Sequence, residues 1–554
     1  MDSGGILMGM TLRPYQEEAV RAVYHEWETG NRKTLLVLPT GCGKTVVFCK
    51  LSEEEVRNGR RVLILAHREE LLSQAADKLE RVTGLRCARE KAEDTCLRSW
   101  YRIVVGSVQT LMRPQRLEQF PPDYFDTIIV DECHHALAGS YQTILKHFDG
   151  ARVLGVTATP DRSDRKNLGQ YFDSLAYEYS LPQAIREGYL CPIRALTIPL
   201  KLDITGVGIQ NGDYKAADLG TALDPYLDQI AQTLASQCAA RKTVIFLPLV
   251  KTAQKMRDKL IEHGMRAAEV HGESQDRAQV LAAFERGETN VLCNALLLTE
   301  GWDCPDVDCV VMLRPTKQRG LYCQCVGRGT RLSPGKTELL LLDFLWLTQR
   351  HSLCRPAHLL ARSEEIAEAM TRRMEEAAGD PMQTEMDLME LEDTAQSDVV
   401  AQREEALAKA LAEMRHRKRA LVDPLQFEMS IQAEDLSGYV PSFKWECEPP
   451  SGEQLKALEK AGIFPDEVDS AGKAAKLLDK LALRRAAGLA TPKQIRFLEG
   501  RGFTHVGTWA FSEANRLITR IAANGWRVPG SVDPATYKPA PTAETASPDE
   551  AAWR

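Results

Sequence analysis

Between Leu35 and Asp343 the chain repeatedly sets a short, almost uninterrupted aliphatic or β-branched run ahead of a helical pattern: LLVLP, RVLILAH, RIVVGS, TIIVDE and RVLGVTATP, then KTVIFLP, NVLCNAL, DCVVMLRP and TELLLLDF. A strand that is apolar at nearly every position, rather than at every second one, needs cover on both faces. Parallel sheets flanked by helices supply it, so these runs predict an α/β protein. The series restarts after residue 190, and one sheet seldom holds so many strands. We therefore expect two parallel-sheet domains in tandem, 1–190 and 191–350, joined around residues 185–240. A chain of 554 residues can bury these cores and that of a further extension.

After residue 350 the sequence changes character. Residues 359–426 contain no aromatic and a single glycine, Gly379. That composition predicts long exposed helices or a coiled-coil arm over 351–440, broken near Gly379-Asp380-Pro381, with partial disorder the alternative for the acidic residues 380–398. Region 441–529 repeats itself. Gln454, Leu455, Leu458, Glu459 and Gly462 return forty residues later as Gln494, Ile495, Leu498, Glu499 and Gly502, and Ala474, Leu477, Leu478 and Leu481 return as Ala514, Leu517, Ile518 and Ile521. Each copy opens on a capping residue, Ser451 or Thr491, so two helical hairpins are expected. The Pro/Ala/Thr/Ser-rich residues 530–554 read as a disordered tail.

The formal charge of −7 argues against a protein that simply coats nucleic acid. Residues 362–398, however, hold twelve acids against Arg362, Arg372 and Arg373, which leaves the remainder slightly basic and a local basic groove possible. Two basic stretches stand out. Arg415-His416-Arg417-Lys418-Arg419 closes a helical run, where cations suit either phosphates or a helix end. The second repeat carries Lys493, Arg496, Arg501, Arg516, Arg520 and Arg527 with Trp509 and Trp526, which suits single strands or junctions, or equally a solvated face over a small core. Fourteen scattered cysteines without paired CxxC units read as reduced thiols, and no structural zinc is expected. The N-terminus lacks a charged segment followed by an apolar one, and no run of eighteen apolar residues occurs. A soluble, cytoplasmic protein without a membrane partner is expected.

Three motifs carry chemistry. The run LLVL leads into Pro39-Thr40-Gly41-Cys42-Gly43-Lys44-Thr45, where glycines let backbone N–H groups close around a phosphate chain, Lys44 reaches it, and Thr45 can ligate Mg²⁺. The strict form of this loop has glycine at position 38, where this chain has Leu38. The run TIIV ends in Asp131-Glu132-Cys133-His134. The paired acids suit a division of labour, Asp131 holding the metal and Glu132 orienting and deprotonating a water, although acids also cap helices. In Gln324-Cys325-Val326-Gly327-Arg328-Gly329-Thr330-Arg331, two arginines three apart on one helical face could grip γ-phosphate oxygens in a fork, or form surface salt bridges.

In this order and context the motifs resemble those of superfamily 2 helicases and translocases over about Leu12–Asp343. Leu12-Arg13-Pro14-Tyr15-Gln16 resembles the Q motif, Ala66-His67-Arg68-Glu69 motif Ia, and Gly106-Ser107-Val108-Gln109-Thr110 motif Ib. DECH is similar to motif II, Thr157-Ala158-Thr159-Pro160 to motif III, Ile245-Phe246-Leu247-Pro248 to motif IV, Thr299-Glu300-Gly301-Trp302-Asp303-Cys304-Pro305 to motif V, and QCVGRGTR to motif VI. Within the superfamily, the forms RPYQ, DECH, TATP and EGWDCP look most like RadD-type DNA repair helicases and the motor subunits of type III restriction enzymes.

The resemblance implies two tandem RecA-like domains followed by an all-α extension, with ATP and Mg²⁺ between the domains. Arg13, Gln16 (reading adenine), Thr40, Gly41, Cys42, Gly43, Lys44, Thr45 and Asp303 would bind nucleotide, and Thr45 and Asp131 the metal. Lys44, Glu132, Arg328 and Arg331 would be catalytic. Arg68, Ser107, Gln109, Thr110 and Thr299 would contact a nucleic-acid strand, while His134, Thr157 and Thr159 would couple strand binding to hydrolysis. The expected function is an ATP-dependent DNA helicase or translocase in repair or replication. The alternatives are an ATP-switched clamp or scaffold and an RNA-directed helicase, with a protein partner possible through the arm or repeats. The cysteine-rich elements expected after a RadD-like motor are missing, since only Cys354 and Cys447 lie beyond residue 325. No PD…(D/E)xK-like pattern follows residue 350, so nuclease activity is not expected.

Overall fold

The first sheet is built from β1 (Lys33–Val37), β2 (Val62–Ala66), β3 (Ala88–Glu90), β4 (Ile103–Ser107), β5 (Thr127–Asp131), β6 (Arg152–Thr157) and β7 (Ser174–Glu178). Its order is β3-β4-β2-β5-β6-β1-β7, with every pairing parallel. Every residue of β2 and β4 is buried, as two-sided cover by helices requires. This computed structural model describes residues 11–66, 69–133, 136, 138–158, 168–210, 213–272, 274, 276–295, 298, 302–347, 353–361, 364–378, 385–399, 421–437, 439–537 and 539.

The second lobe begins with β8 (Ile193–Asp203) and a small antiparallel pair, β9 (Ile209–Gln210) and β10 (Asp213–Tyr214). It continues with β11 (Thr243–Phe246), β12 (Ala267–Val270), β13 (Val291–Asn294), β14 (Cys309–Met312), β15 (Leu339–Leu347) and β16 (Glu385–Asp387). The order is β12-β13-β11-β14-β15-β8-β16, parallel except for β16, which pairs antiparallel with β8. One continuous apolar cluster runs from Phe48 and Ile64 through Leu190 and Cys191 to Val310 and Leu341, so the two lobes share a core. The fold is two tandem parallel-sheet α/β domains, as the apolar runs predicted, and these are the RecA-like domains that the resemblance implied.

Residues 364–399 depart from the exposed arm expected of them. The helix Glu364–Ala378 buries Ile366, Met370 and Met374 at four-residue spacing, and β16 completes the second sheet. The acidity of this stretch serves ion pairing: Arg186 bonds to Glu392 at 3.1 Å and to Asp393 at 2.8 Å. Residues 400–420, with the basic run Arg415–Arg419, lie outside the described residues.

Contacts divide the chain into two compact units, up to Val399 and from Val400 onward. The second unit contains the repeat as two helical hairpins, Gly452–Ala461 with Ala471–Ala486, and Pro492–Glu499 with Phe511–Ala523. The forty-residue offset persists in the hydrogen bonds. Ser451 and Thr491 each form a capping box with Gln454 and Gln494. The amides of those glutamines donate to the carbonyls of Ala471 (3.0 Å) and Phe511 (3.2 Å). Likewise Ala471 N–H donates to Glu448 and Phe511 N–H to Gly488. The start of the expected tail is ordered by packing: Val532 joins this unit's core, and Tyr537 lies against Phe503 and Trp509. Residues 540–554 lie outside the described residues.

Candidate functional site

Because β6 lies between β5 and β1, the C-terminal ends of these three strands are adjacent. In a parallel sheet that edge is where loops converge on a ligand. The loop after β1 is pinned there, with Leu38 N–H donating to the Thr157 carbonyl at 3.1 Å and Cys42 N–H closing onto Pro39 at 3.1 Å. Gly41 (φ +95°) and Gly43 (φ +78°) occupy the left-handed region. A Cβ on Gly41 would lie 2.9 Å from Leu190 Cδ2, and one on Gly43 would lie 2.6 Å from Gln16 Nε2. Glycine is therefore required at both positions for conformation and for space. The helix Lys44–Arg57 starts at once: Val46 and Val47 N–H donate to the Gly43 carbonyl at 2.9 and 3.2 Å, which leaves the N–H groups of Lys44 and Thr45 as the first-turn donors for a ligand. This cradle fits a polyphosphate. Thr45 and Asp131, at the same sheet edge, offer the hard oxygen donors that Mg²⁺ prefers.

Gln16 reaches the loop from the helix Pro14–Glu28. Its Nε2 donates to the Cys42 carbonyl at 3.0 Å, and its Oε1 accepts from Arg13 N–H at 3.0 Å. Tyr15 adds a second bond to the same carbonyl (2.8 Å) and stacks on Tyr179 at 4.3 Å. The amide expected to read adenine thus ties the first helix to the loop. Arg13 is exposed and lies over the Tyr189 ring, 5.1 Å from its centroid.

Glu132 follows β5 with φ +49°, a left-handed conformation unusual for a side-chain-bearing residue. This turn directs its carboxylate between the lobes. Oε1 lies 3.6 Å from Lys44 Nζ, and Oε2 accepts from Gln324 Nε2 at 3.2 Å. Lys44 and Glu132 of the first lobe and Gln324 of the second form one polar chain. Backbone contact reinforces it: a Cβ on Gly327 would meet Thr40 Cβ at 2.7 Å, and one on Gly41 would approach Arg331 Cγ at 3.2 Å.

Arg328 and Arg331 do not share a helical face. The helix Arg319–Val326 ends before them, because Gly327 and Gly329 fold tightly against Thr40 and Leu339. Arg328 is 8% exposed and donates from Nη1 to the Trp302 carbonyl at 2.7 Å. Burial, then the neighbouring Arg331, push its pKa down to about 10, so it stays charged at neutral pH. Arg331 forms an ion pair with Asp303, the residue expected to bind nucleotide.

The expected strand contacts divide. Gln109 is exposed, Ser107 is buried, and buried Thr110 accepts from Ala92 N–H at 3.1 Å. Of the coupling residues, Thr157 lies at the base of the phosphate loop. Arg68, His134, Thr159 and Thr299 lie outside the described residues.

Two residues absent from the sequence-based site are prominent. Gln324 sits within QCVGRGTR, one helical turn ahead of Arg328, and only the tertiary contact reveals its partner. Lys336 belongs to no motif, yet its Nζ donates to the carbonyls of Pro305 (3.0 Å), Val307 (2.5 Å), Gly329 (2.5 Å) and Arg331 (2.8 Å). This one ammonium ties the loop holding Asp303 to the loop holding both arginines. Replacing Lys336 with Met should lower ATP turnover roughly ten- to hundredfold, because catalytic groups displaced by about 1 Å lose rates of that order. Turnover measured beside a melting curve checks this, and an unchanged kcat would show that the arginine loop holds itself.

The family described as "Type III restriction enzyme, res subunit" matches residues 9–162, and "Helicase conserved C-terminal domain" matches residues 226–333. The chain carries a res-subunit-type domain followed by a helicase C-terminal domain. IRC3 of Saccharomyces cerevisiae, named as an ATP-dependent helicase, is 30% identical over 64% of this chain and 54% of the yeast protein. The endonuclease subunit of the type I restriction enzyme EcoAI of Escherichia coli is 25% identical over 62% of this chain and 47% of that subunit. The chain thus spans about half the length of these curated relatives. Among solved structures, the ATP-dependent type ISP restriction-modification enzyme LlaBIII bound to DNA has a TM-score of 0.51 at 16% identity. It covers 93% of this chain and 43% of that enzyme, a likeness of fold. Among the described residues no helix is long and apolar enough to cross a membrane.

Proposed function

We propose that this chain is a nucleic-acid-stimulated ATPase that hydrolyses ATP between its two lobes and thereby moves along or unwinds DNA, in repair or replication. The observation that carries this reading is the polar chain from Lys44 through Glu132 to Gln324, which joins the phosphate cradle to the arginine-bearing lobe. Thr45 and Asp131 would hold Mg²⁺, which when bound offsets phosphate charge. Lys44 has competing anionic partners, the Glu132 carboxylate and the β- and γ-phosphates of a nucleotide. Drawing Lys44 to the phosphates releases Glu132 to orient the attacking water, while Arg328 and Arg331 stabilise the charge that develops.

Contacts that differ between nucleotide-filled and emptied clefts bias the lobes between two arrangements, which is what stepping requires. Gln109, exposed after β4, suits a strand contact. DNA is favoured over RNA by the likeness to the endonuclease subunit of a type I restriction enzyme.

ATP turnover measured with single-stranded, duplex and forked DNA and with RNA tests the reading. DNA is expected to stimulate most, and turnover indifferent to every nucleic acid would overturn the motor. Stimulation without strand displacement or streptavidin stripping would identify a clamp, and stimulation by RNA alone an RNA-directed enzyme.

A further inference from the structure

The two C-terminal hairpins share caps, core positions and inter-helix hydrogen bonds at an offset of forty residues, so their differences isolate what the second hairpin carries beyond its scaffold. Phe497, Arg501 and Trp526 form one cluster on it. The Phe497 and Trp526 rings meet edge-on at 5.9 Å, and the Arg501 guanidinium lies over the Phe497 ring, 3.6 Å from its centroid. At the offset positions the first hairpin has Ala457, Ala461 and Ala486. The first hairpin closes without such a cluster, so folding does not demand it.

Trp526 is 60% exposed, an unusual setting for an indole. A built turn presents it: Gly525 and Trp526 have φ +66° and +65°, Trp526 N–H donates to Ile521 at 2.9 Å, and Asn524 Nδ2 donates to the Arg527 carbonyl at 3.1 Å. The hairpin's own exposed charged residues are all basic. Lys493, Arg496 and Arg527 are exposed. The hairpin's two acids face inward, Glu499 held by Gln426, Ser430 and Val506 N–H, and Glu513 buried against Arg516.

We propose that this hairpin is a second nucleic-acid site, which binds a single strand by stacking a base on Trp526 and setting its phosphates on Arg496, Arg501 and Arg527. An exposed aromatic face flanked by cations is the physical basis of single-strand binding. The proposal rests on the reading above in taking nucleic acid as the chain's ligand. Neither matched family reaches this region.

Anisotropy with the full chain, labelled oligo-dT and an abasic strand of equal length tests it. Trp526→Ala should raise Kd for oligo-dT roughly 5- to 150-fold, the range of one lost base stack, while Trp526→Phe stays within about threefold of wild type. The abasic strand should bind the wild type more weakly and ignore Trp526→Ala. Basal turnover without nucleic acid should be unchanged in both variants, and a melting curve that keeps the wild-type transitions shows that the hairpin folds. A Kd for oligo-dT within about twofold of wild type in Trp526→Ala overturns the site, as does an abasic strand bound as tightly as oligo-dT, which would indicate a surface for any polyanion, acidic peptide included. Loss of oligo-dT binding in Trp526→Ala with turnover indifferent to nucleic acid would keep this site and remove the motor reading. Stimulated turnover with unchanged binding would do the reverse.

Discussion

Arg328→Ala is expected to lower kcat for ATP turnover by roughly 10³-fold or more, the scale of a lost arginine finger. A guanidinium only 8% exposed is costly to keep charged, and its pKa of about 10 registers that cost. The Trp302 carbonyl bond at 2.7 Å fixes the side chain, and the Glu132 and Asp303 carboxylates attract it. A phosphate arriving in the cleft would add a further negative charge beside it, where exclusion of water strengthens the attraction. Arg328→Lys should recover little, since an ammonium lacks the fork and the reach. Arg331, already paired with Asp303, should matter less. Turnover at saturating ATP and nucleic acid, beside a melting curve, separates chemistry from folding. A kcat within about threefold of wild type in folded Arg328→Ala would remove this residue from the mechanism.

What the sequence made legible follows from how locally each feature is encoded. The sheets were readable because buried parallel strands are apolar throughout, and the phosphate loop because its glycines, lysine and threonine are contiguous. The repeat was readable because caps and core positions recur without a gap. Strand β16 was not, since Glu-Met-Asp has no strand signature of its own and owes its conformation to the free edge of β8. The helix Glu364–Ala378 reads as an exposed arm because its stretch lacks aromatics and is rich in Glu, Ala, Met, Leu and Arg, although Ile366, Met370 and Met374 mark a buried stripe. Lys336 and Gln324 were missed for another reason: each acts on a loop brought to it by the tertiary fold. The arginine pair shows the converse. Its residues were found, but their helical geometry was wrong, because two glycines needed for close packing end the helix before them.

Glu132→Gln should lower kcat roughly 10²- to 10⁴-fold, the usual contribution of a general base, while leaving nucleotide binding intact or stronger. The carboxylate accepts from Gln324 Nε2 at 3.2 Å and faces Lys44 Nζ at 3.6 Å. A neutral amide keeps the volume but has one accepting oxygen, which cannot serve Gln324 and Lys44 equally. Lys44 is then released from an ion pair and left to the phosphates. Bound ATP is therefore held at least as tightly, yet no base takes the proton of the attacking water. If nucleotide occupancy favours one grip on the strand, the variant should also retain nucleic acid longer in ATP than in ADP. Turnover, nucleotide affinity and the lifetime of the nucleic-acid complex in each nucleotide are the measurements. Turnover within about tenfold of wild type would exclude Glu132 as the base, and slow turnover with weakened ATP binding would recast it as a residue that only positions Lys44.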